Sequence, residues 1–431
     1  MNLRLSKGQL KSADIEAISS KSFVHRLLIA AALSDNSVTI NTNIISKDME
    51  ATVGVLRALG ASIDVYGDKF VIKKPVTGAD KAQETVNLDC IESGSTARFI
   101  MPLAVHLTSG ACMTGSGKLP ERPFTELVEV LKKHGADIDG THLPLKVSGT
   151  LNPGEYEIAG NVSSQYISGL MFVLPLLEGP STIKLTTNLE SSGYVDMTLD
   201  VLKLFGIIVN RSGNVFSIPG GQRYHGPSQI TAEGDWSNGA YLLAFAHMAK
   251  LFNKDIDINV TGLNKESLQK DRAIIDIIEK LTQRNETGRD IVIDYDCSEI
   301  PDIVPAVAML CTAVKGRSIL RNVERLRIKE SDRIESTCAL LNAIGINYEV
   351  TIEDGHEMLA IDGKGDTLIN SSKNDIVINS YNDHRIVMAA ALIALINDKG
   401  VIINDANAIN KSYPGFFDML KDRLEMSVEE C

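Results

Sequence analysis

Apolar residues along the chain gather into six long runs, each entered from a short polar start. Ser380-Tyr381-Asn382-Asp383-His384-Arg385 leads into Ile386–Ile396, which is apolar on nearly every side. That pattern predicts a helix buried all round, not an amphipathic surface helix, with Asn382 or Asp383 as its N-cap. Its first turn presents orphan N–H groups beside His384 and Arg385, a prepared site for an anion. The signature recurs at Ser20-Lys21-Ser22, Ser93-Gly94-Ser95, Ser163-Ser164-Gln165, Gly234-Asp235 and Pro301-Asp302. The starts fall roughly 70 residues apart, a period that points to internal repeats.

A second marker keeps the same beat. Val55–Gly60, Val130–Gly135, Val201–Gly206 and Leu340–Gly345 each read as the end of an amphipathic helix, a glycine C-cap and the start of a strand. The copy expected near Leu281 has no glycine. We therefore expect an α/β fold of two domains, each of three repeats, with three buried parallel helices inside and sheets with surface helices outside. The domain boundaries predicted are 20–232 for one and 1–19 plus 233–431 for the other, with hinges near 18–20 and 230–234. The N-terminal strand is expected to complete the last repeat. Parallel core helices would aim their positive ends the same way, and two such domains facing each other would form one anion-collecting cleft. Asp362–Asn374 and Thr282–Arg289 are polar enough to be exposed loops.

Composition narrows the function. The chain has 431 residues and is 44% hydrophobic, ample for two cores. A net charge of −12 argues against a general nucleic-acid binder, yet local clusters of Arg and Lys can still dominate a cleft. The six cysteines form no metal-ligand spacing and read as reduced thiols. No apolar run reaches membrane-spanning length, and the N-terminus has no secretory pattern, so a cytoplasmic protein is expected, without membrane or nucleic-acid partners and monomeric.

Candidate chemistry clusters at the helix starts. Lys21 and His25, like Ser22 and Arg26, share faces of the first core helix. Gly94 lets a ligand approach backbone N–H groups. Arg122 precedes Pro123, which suits the first turn of a helix. Ser163, Ser164 and Gln165 offer more polar groups than one cap requires. Ser191 suits a capping turn. Asp302 is either an N-cap or a base facing a hydroxyl. Lys329, Glu330 and Arg333 sit in a dense charged run, where Glu330 would serve as a proton donor or acceptor in a closed site. Lys411 stands in a basic turn before the terminal helix.

In order along the chain, Lys21-Ser22 with Arg26, Gly94-Ser95 with Arg98, Glu121-Arg122-Pro123, Ser163-Ser164-Gln165, Ile300-Pro301-Asp302, Arg327–Arg333, Asn382–Arg385 and Lys411–Pro414 resemble the 5-enolpyruvylshikimate-3-phosphate synthase family over almost the whole length. The Lys-Glu-Ser-Asp-Arg and Asn-Asp-His-Arg strings are the specific ones. The resemblance implies a two-domain inside-out α/β barrel, each domain three β-α-β-α-β-β repeats with buried parallel helices, and transfer of the enolpyruvyl group of phosphoenolpyruvate to the 5-hydroxyl of shikimate 3-phosphate, with no metal or organic cofactor. It implies that Lys21, Gly94, Arg122, Gln165, Arg333, Arg385 and Lys411 hold phosphoenolpyruvate. It assigns Lys21, Ser22, Arg26, Ser163, Ser164, Gln165, Ser191, Asp302 and Lys329 to shikimate 3-phosphate. Asp302, Glu330 and Lys21 would be catalytic. The related UDP-N-acetylglucosamine enolpyruvyl transferases carry a reactive cysteine five residues before the arginine matching Arg122; Gly117 stands there, and Cys112 is too early.

Overall fold

The structure is a computed structural model that describes residues 1–76, 85–287, 291–368 and 375–431. Contacts divide the chain into two compact units. The central unit is Ser19–Glu233; the terminal unit joins Met1–Ile18 to Gly234–Cys431.

Among the described residues each unit holds three sheets, and five of the six follow one plan. In the second repeat of the central unit, strand Val86–Asp89 runs parallel to Ala111–Thr114. Ala111–Thr114 is antiparallel to Leu145–Gly149, which is antiparallel to Ala136–Asp139. The spatial order is therefore first, second, fourth, third, as for the four strands beginning at Glu155, Ser181, Asn210 and Val215. Repeats need not be contiguous. The first sheet of the central unit takes its opening strand, Gln229–Thr231, from the end of that unit, pairing it with Val38–Asn41. In the terminal unit Leu3–Ser6 is the fourth strand of the last repeat, between Val401–Asn404 and Ser427–Glu430.

One repeat is truncated. Ala13–Glu16 pairs in parallel with Ile258–Thr261, and that sheet has two strands. The helix Ile274–Thr287 then leads to Ile291–Asp296, already the first strand of the next sheet. Where four of the other repeats stop a helix with a glycine at positive φ (Gly60, Gly135, Gly206, Gly345), the last with Glu425 in the same conformation, and turn into a strand, this repeat has no hairpin to enter. The missing glycine near Leu281 is thus explained, and the loop expected at 282–289 is corrected: residues to Thr287 continue the helix, and 288–289 lie outside the described residues. Likewise Asp362 and Gly363 end a strand, Gly365–Leu368 is a 3-10 turn, and 369–374 lie outside the described residues.

The six apolar runs are six helices among the described residues: Lys21–Leu33, Gly94–Leu107, Ser164–Val173, Trp236–Phe252, Val304–Thr312 and His384–Ala391. Their interiors are almost wholly buried, as expected of bodies apolar on every side. Ser20, Ser93, Asp235 and Asp383 cap four of them, each side-chain oxygen accepting from an N–H of the first turn. Asp302 is not a cap: Ile303 holds that position, with no side-chain cap bond. Pro123 likewise lies outside the helix Thr125–Lys133, before its N-cap Phe124.

Within each unit two of the core helices start side by side. Gln165, in the first turn of Ser164–Val173, donates to Ser95 and accepts from Arg98, at 2.8 and 3.0 Å, in the opening turns of Gly94–Leu107. Asn238 meets Arg385 at 3.3 Å, joining the starts of Trp236–Phe252 and His384–Ala391. Neighbours that start together and pack together run parallel, so their positive ends point the same way within a unit.

Candidate functional site

The central unit places Lys21, Ser22, Arg26, Gly94, Arg122, Ser163, Ser164, Gln165 and Ser191 at or near its helix starts. Two rungs brace the first core helix against Lys47–Ala58. Lys21 Nζ lies 2.9 Å from Asp48 Oδ2, and one turn on, His25 Nδ1 lies 2.7 Å from Thr52 Oγ1. The i,i+4 spacing on both helices makes this ladder. Thr52 continues it to Thr96, at 2.7 Å, and Thr96 to Ser93, also at 2.7 Å. Burial, with Lys21 and Arg26 nearby, pushes the His25 pKa well down, so the ring is neutral.

Arg26 is 2% exposed. Its Nε donates to Thr198 Oγ1 at 2.8 Å, and its two terminal nitrogens to the carbonyls of Ser22 and Tyr194 at 2.7 and 2.9 Å. The faces of Phe99 and Tyr194 lie under the guanidinium. Burial pulls its pKa down to about 10, so it is cationic at neutral pH, and among the described residues no carboxylate pairs with it. Arg98 is also buried; it donates to Gln165 Oε1 at 3.0 Å, and its Nε has no partner. Gly94 supplies the necessary space. A Cβ there would stand 2.5 Å from the nearer Arg98 nitrogen and 2.9 Å from an Arg122 nitrogen. Two guanidinium groups therefore lie against the backbone at that helix start. Ser163 holds the N-cap position without capping through its hydroxyl, and Ser164 is buried in the first turn. Ser191 adopts φ +52°, a left-handed conformation that is costly for serine, at the head of the helix carrying Tyr194 and Thr198.

The terminal unit gathers Asp302, Lys329, Glu330, Arg333, Arg385 and Lys411. Arg333 is the hub. It forks onto Asp383 at 2.8 and 3.2 Å and reaches Asp302 Oδ1 at 2.7 Å. Lys329 Nζ approaches the same Asp302 oxygen at 3.5 Å. Burial pushes the Asp383 carboxyl upward, but Arg333 beside it prevails, holding it below its ordinary value. Glu330 Oε2 lies 3.0 Å from His384 Nδ1 and 4.0 Å from Lys411 Nζ. Lys411 donates to the Asn382 carbonyl at 2.7 Å. Arg385, 5% exposed, has Tyr241 beneath it and a partnerless Nε; among the described residues no carboxylate pairs with it.

Sequence reasoning missed several supports. Asp383 was expected only as a cap; it caps and also neutralises Arg333. Asp48, Thr52 and Asn238 carried no local signal, because each acts on a residue distant in sequence. Asp271 is buried, accepts from Ser237 Oγ, and is pushed up to about 7 by burial, with Asp302 and Asp235 adding to the shift. Glu330, Asp383 and His384 come close enough together to hold a cation. The flanking Arg333 and Lys411 already supply positive charge there, so the set reads as an ion-pair network.

The family profile EPSP synthase (3-phosphoshikimate 1-carboxyvinyltransferase) matches residues 6–420. The 3-phosphoshikimate 1-carboxyvinyltransferase of Clostridium novyi (strain NT) is 37% identical, with 96% of each chain covered. That of Clostridium acetobutylicum is 39% identical, covering 95% of this chain and 94% of the relative. Among solved structures, an EPSP synthase from Acinetobacter baumannii superposes with TM-score 0.76 at 21% identity over the whole of both chains. The enolpyruvyl transferase NikO from Streptomyces tendae gives 0.73 at 15%, covering 99% and 98%. At these identities the structures establish the fold alone.

Proposed function

The chain belongs to the EPSP synthase family, and from that premise we propose how its residues move the enolpyruvyl group of phosphoenolpyruvate onto the 5-hydroxyl of shikimate 3-phosphate, releasing phosphate. In this reading Lys21, Gly94, Arg122, Gln165, Arg333, Arg385 and Lys411 hold phosphoenolpyruvate. Lys21, Ser22, Arg26, Ser163, Ser164, Gln165, Ser191, Asp302 and Lys329 hold shikimate 3-phosphate. Asp302 takes the 5-hydroxyl proton as that oxygen attacks C2 of phosphoenolpyruvate. Glu330, with Lys21, handles the proton at the methylene carbon C3, whose protonation gives a tetrahedral intermediate. Return of a proton from that carbon expels phosphate and restores the double bond. No helix among the described residues is long and apolar enough to cross a membrane; a monomer in the cytoplasm belongs to the same reading.

One observation carries it. Arg26, Arg98 and Arg385 are buried, hydrogen-bond only neutral partners among the described residues, and have no carboxylate within ion-pair distance. Buried charge left uncompensated is expensive. Guanidinium groups match carboxylate and phosphate oxygens in a bidentate fork, and two substrates bearing two phosphates and two carboxylates supply the missing charge.

The test is phosphate release from phosphoenolpyruvate, expected only when shikimate 3-phosphate is present. Release driven by a UDP-sugar, or tight binding of both ligands without turnover, would overturn the reading. In the same assay Arg385→Ala should cost about 1.5–3 kcal/mol of transition-state energy, the scale for hydrogen bonds to a charged group; near-native kinetics would remove Arg385 from the site.

A further inference from the structure

Asn238 is wholly buried in the first turn of Trp236–Phe252, with its backbone N–H held by the Asp235 carboxylate at 2.7 Å. Both ends of its amide are used. Oδ1 accepts from Arg385 at 3.3 Å, and Nδ2 donates to Ser412 Oγ at 3.1 Å. Ser412 follows Lys411, whose Nζ reaches back to the Asn382 carbonyl at the head of the helix carrying Arg385. One amide therefore ties a buried arginine to the turn bearing a buried lysine. Among the described residues Asn238 is the hydrogen-bond partner of the Arg385 guanidinium. The charges that attract that guanidinium from farther off are the carboxylates of Asp302 and Asp235. The neutral amide is the hydrogen bond that holds it in place against that pull, above the ring of Tyr241.

We propose that Asn238 is a positioning residue for the phosphoenolpyruvate site, clamping Arg385 to the Lys411–Ser412 turn so that both cations stay aimed at one anionic ligand. An asparagine suits the task because it offers one acceptor and two donors without charge. Aspartate in its place would pair with Arg385 and cancel the charge the ligand needs. This inference rests on the functional reading above and adds a residue that the family resemblance did not bring forward.

The experiment measures kcat and KM for each substrate in Asn238→Ala and Asn238→Asp, alone and combined with Arg385→Ala. Asn238→Ala should lower kcat/KM for phosphoenolpyruvate about tenfold, the loss typical of a tethering hydrogen bond, mainly through KM. KM for shikimate 3-phosphate should move less than about twofold. Asn238→Asp should be worse than Asn238→Ala for phosphoenolpyruvate, although it keeps the shape. In the Arg385→Ala background, Asn238→Ala should cost less than about twofold, because the group it positions is gone. Equal losses for both substrates, a change in kcat alone, or fully additive losses in the double variant would overturn the inference. Absence of shikimate-3-phosphate-dependent turnover in the parent protein would instead sink the functional reading; parent turnover with Asn238→Ala unimpaired sinks only the clamp.

Discussion

At the scale of single residues, the structure separates charges that hold the protein together from charges kept for a ligand. Arg333 is compensated by Asp302 and Asp383; Arg26 has only neutral partners. Arg26→Met should therefore leave the melting temperature of the ligand-free protein unchanged or raised, since replacing a buried charge by an apolar group of similar size is often stabilising. The same change should raise KM for shikimate 3-phosphate at least about tenfold. A collapse of stability would show Arg26 to be structural. Asp271 gives a pH-dependent counterpart. Its folded pKa, about 7, lies above the ordinary aspartate value. The protonated form favours folding, so its stabilisation is present at acid pH and is lost as pH rises through 7. Asp271→Asn should thus gain steadily on the parent from about pH 4 to about pH 7 and hold level above it, read from urea unfolding at each pH. A gap that shrinks over that range would contradict the assignment.

At the scale of elements, one helix contact shows how a core helix can be both interrupted and tightly packed. Pro102 lies inside Gly94–Leu107 and has no N–H to donate to the carbonyl four residues earlier, that of Arg98. The helix Ser164–Val173 brings Gly169 against that oxygen; a Cβ there would stand 2.5 Å from it. The glycine fills the gap left by the missing hydrogen bond with a close backbone approach. Gly169→Ala should destabilise the protein by about 1–3 kcal/mol, the cost of overpacking a core, as a lowered denaturation midpoint. It should also disturb Arg98, whose backbone it pushes. An unchanged midpoint would mean that the two helices are free to part at no cost.

At the scale of the whole molecule, the terminal unit is assembled from both ends of the chain. Leu3 pairs with Glu430 and Ser6 with Ser427 in one antiparallel register, and the Cys431 N–H reaches the Asn2 carbonyl. Joining the ends with a short turn would make an ordinary hairpin. A permuted chain that begins at Ser19, runs to Cys431 and continues through Met1 to Ile18 keeps every strand partner of both units. It should fold to the parent secondary structure and melt cooperatively by circular dichroism. A molten product would show that the order of synthesis matters to the fold.

Much of the fold was legible because it is periodic. Polar starts before apolar runs, and glycines after amphipathic ones, are local rules that each repeat obeys for local reasons of capping and burial. The absent glycine near Leu281 was visible too, but its meaning was not, since a hairpin that is missing from one repeat appears only when strands are seen to pair. The candidate site was legible where charged strings were distinctive, as at Lys329–Arg333 and Asn382–Arg385. It was not legible at Asn238, Asp48, Thr52 or Asp271, nor in the compensation of Arg333 by Asp383. By itself, the sequence determined which segments become buried helices and which residue types stand at their heads, because capping and hydrophobic burial act over a few neighbouring positions. Only the tertiary structure decided which of those charges are neutralised and which stay uncompensated, because that depends on partners separated by tens to hundreds of residues and brought together by packing.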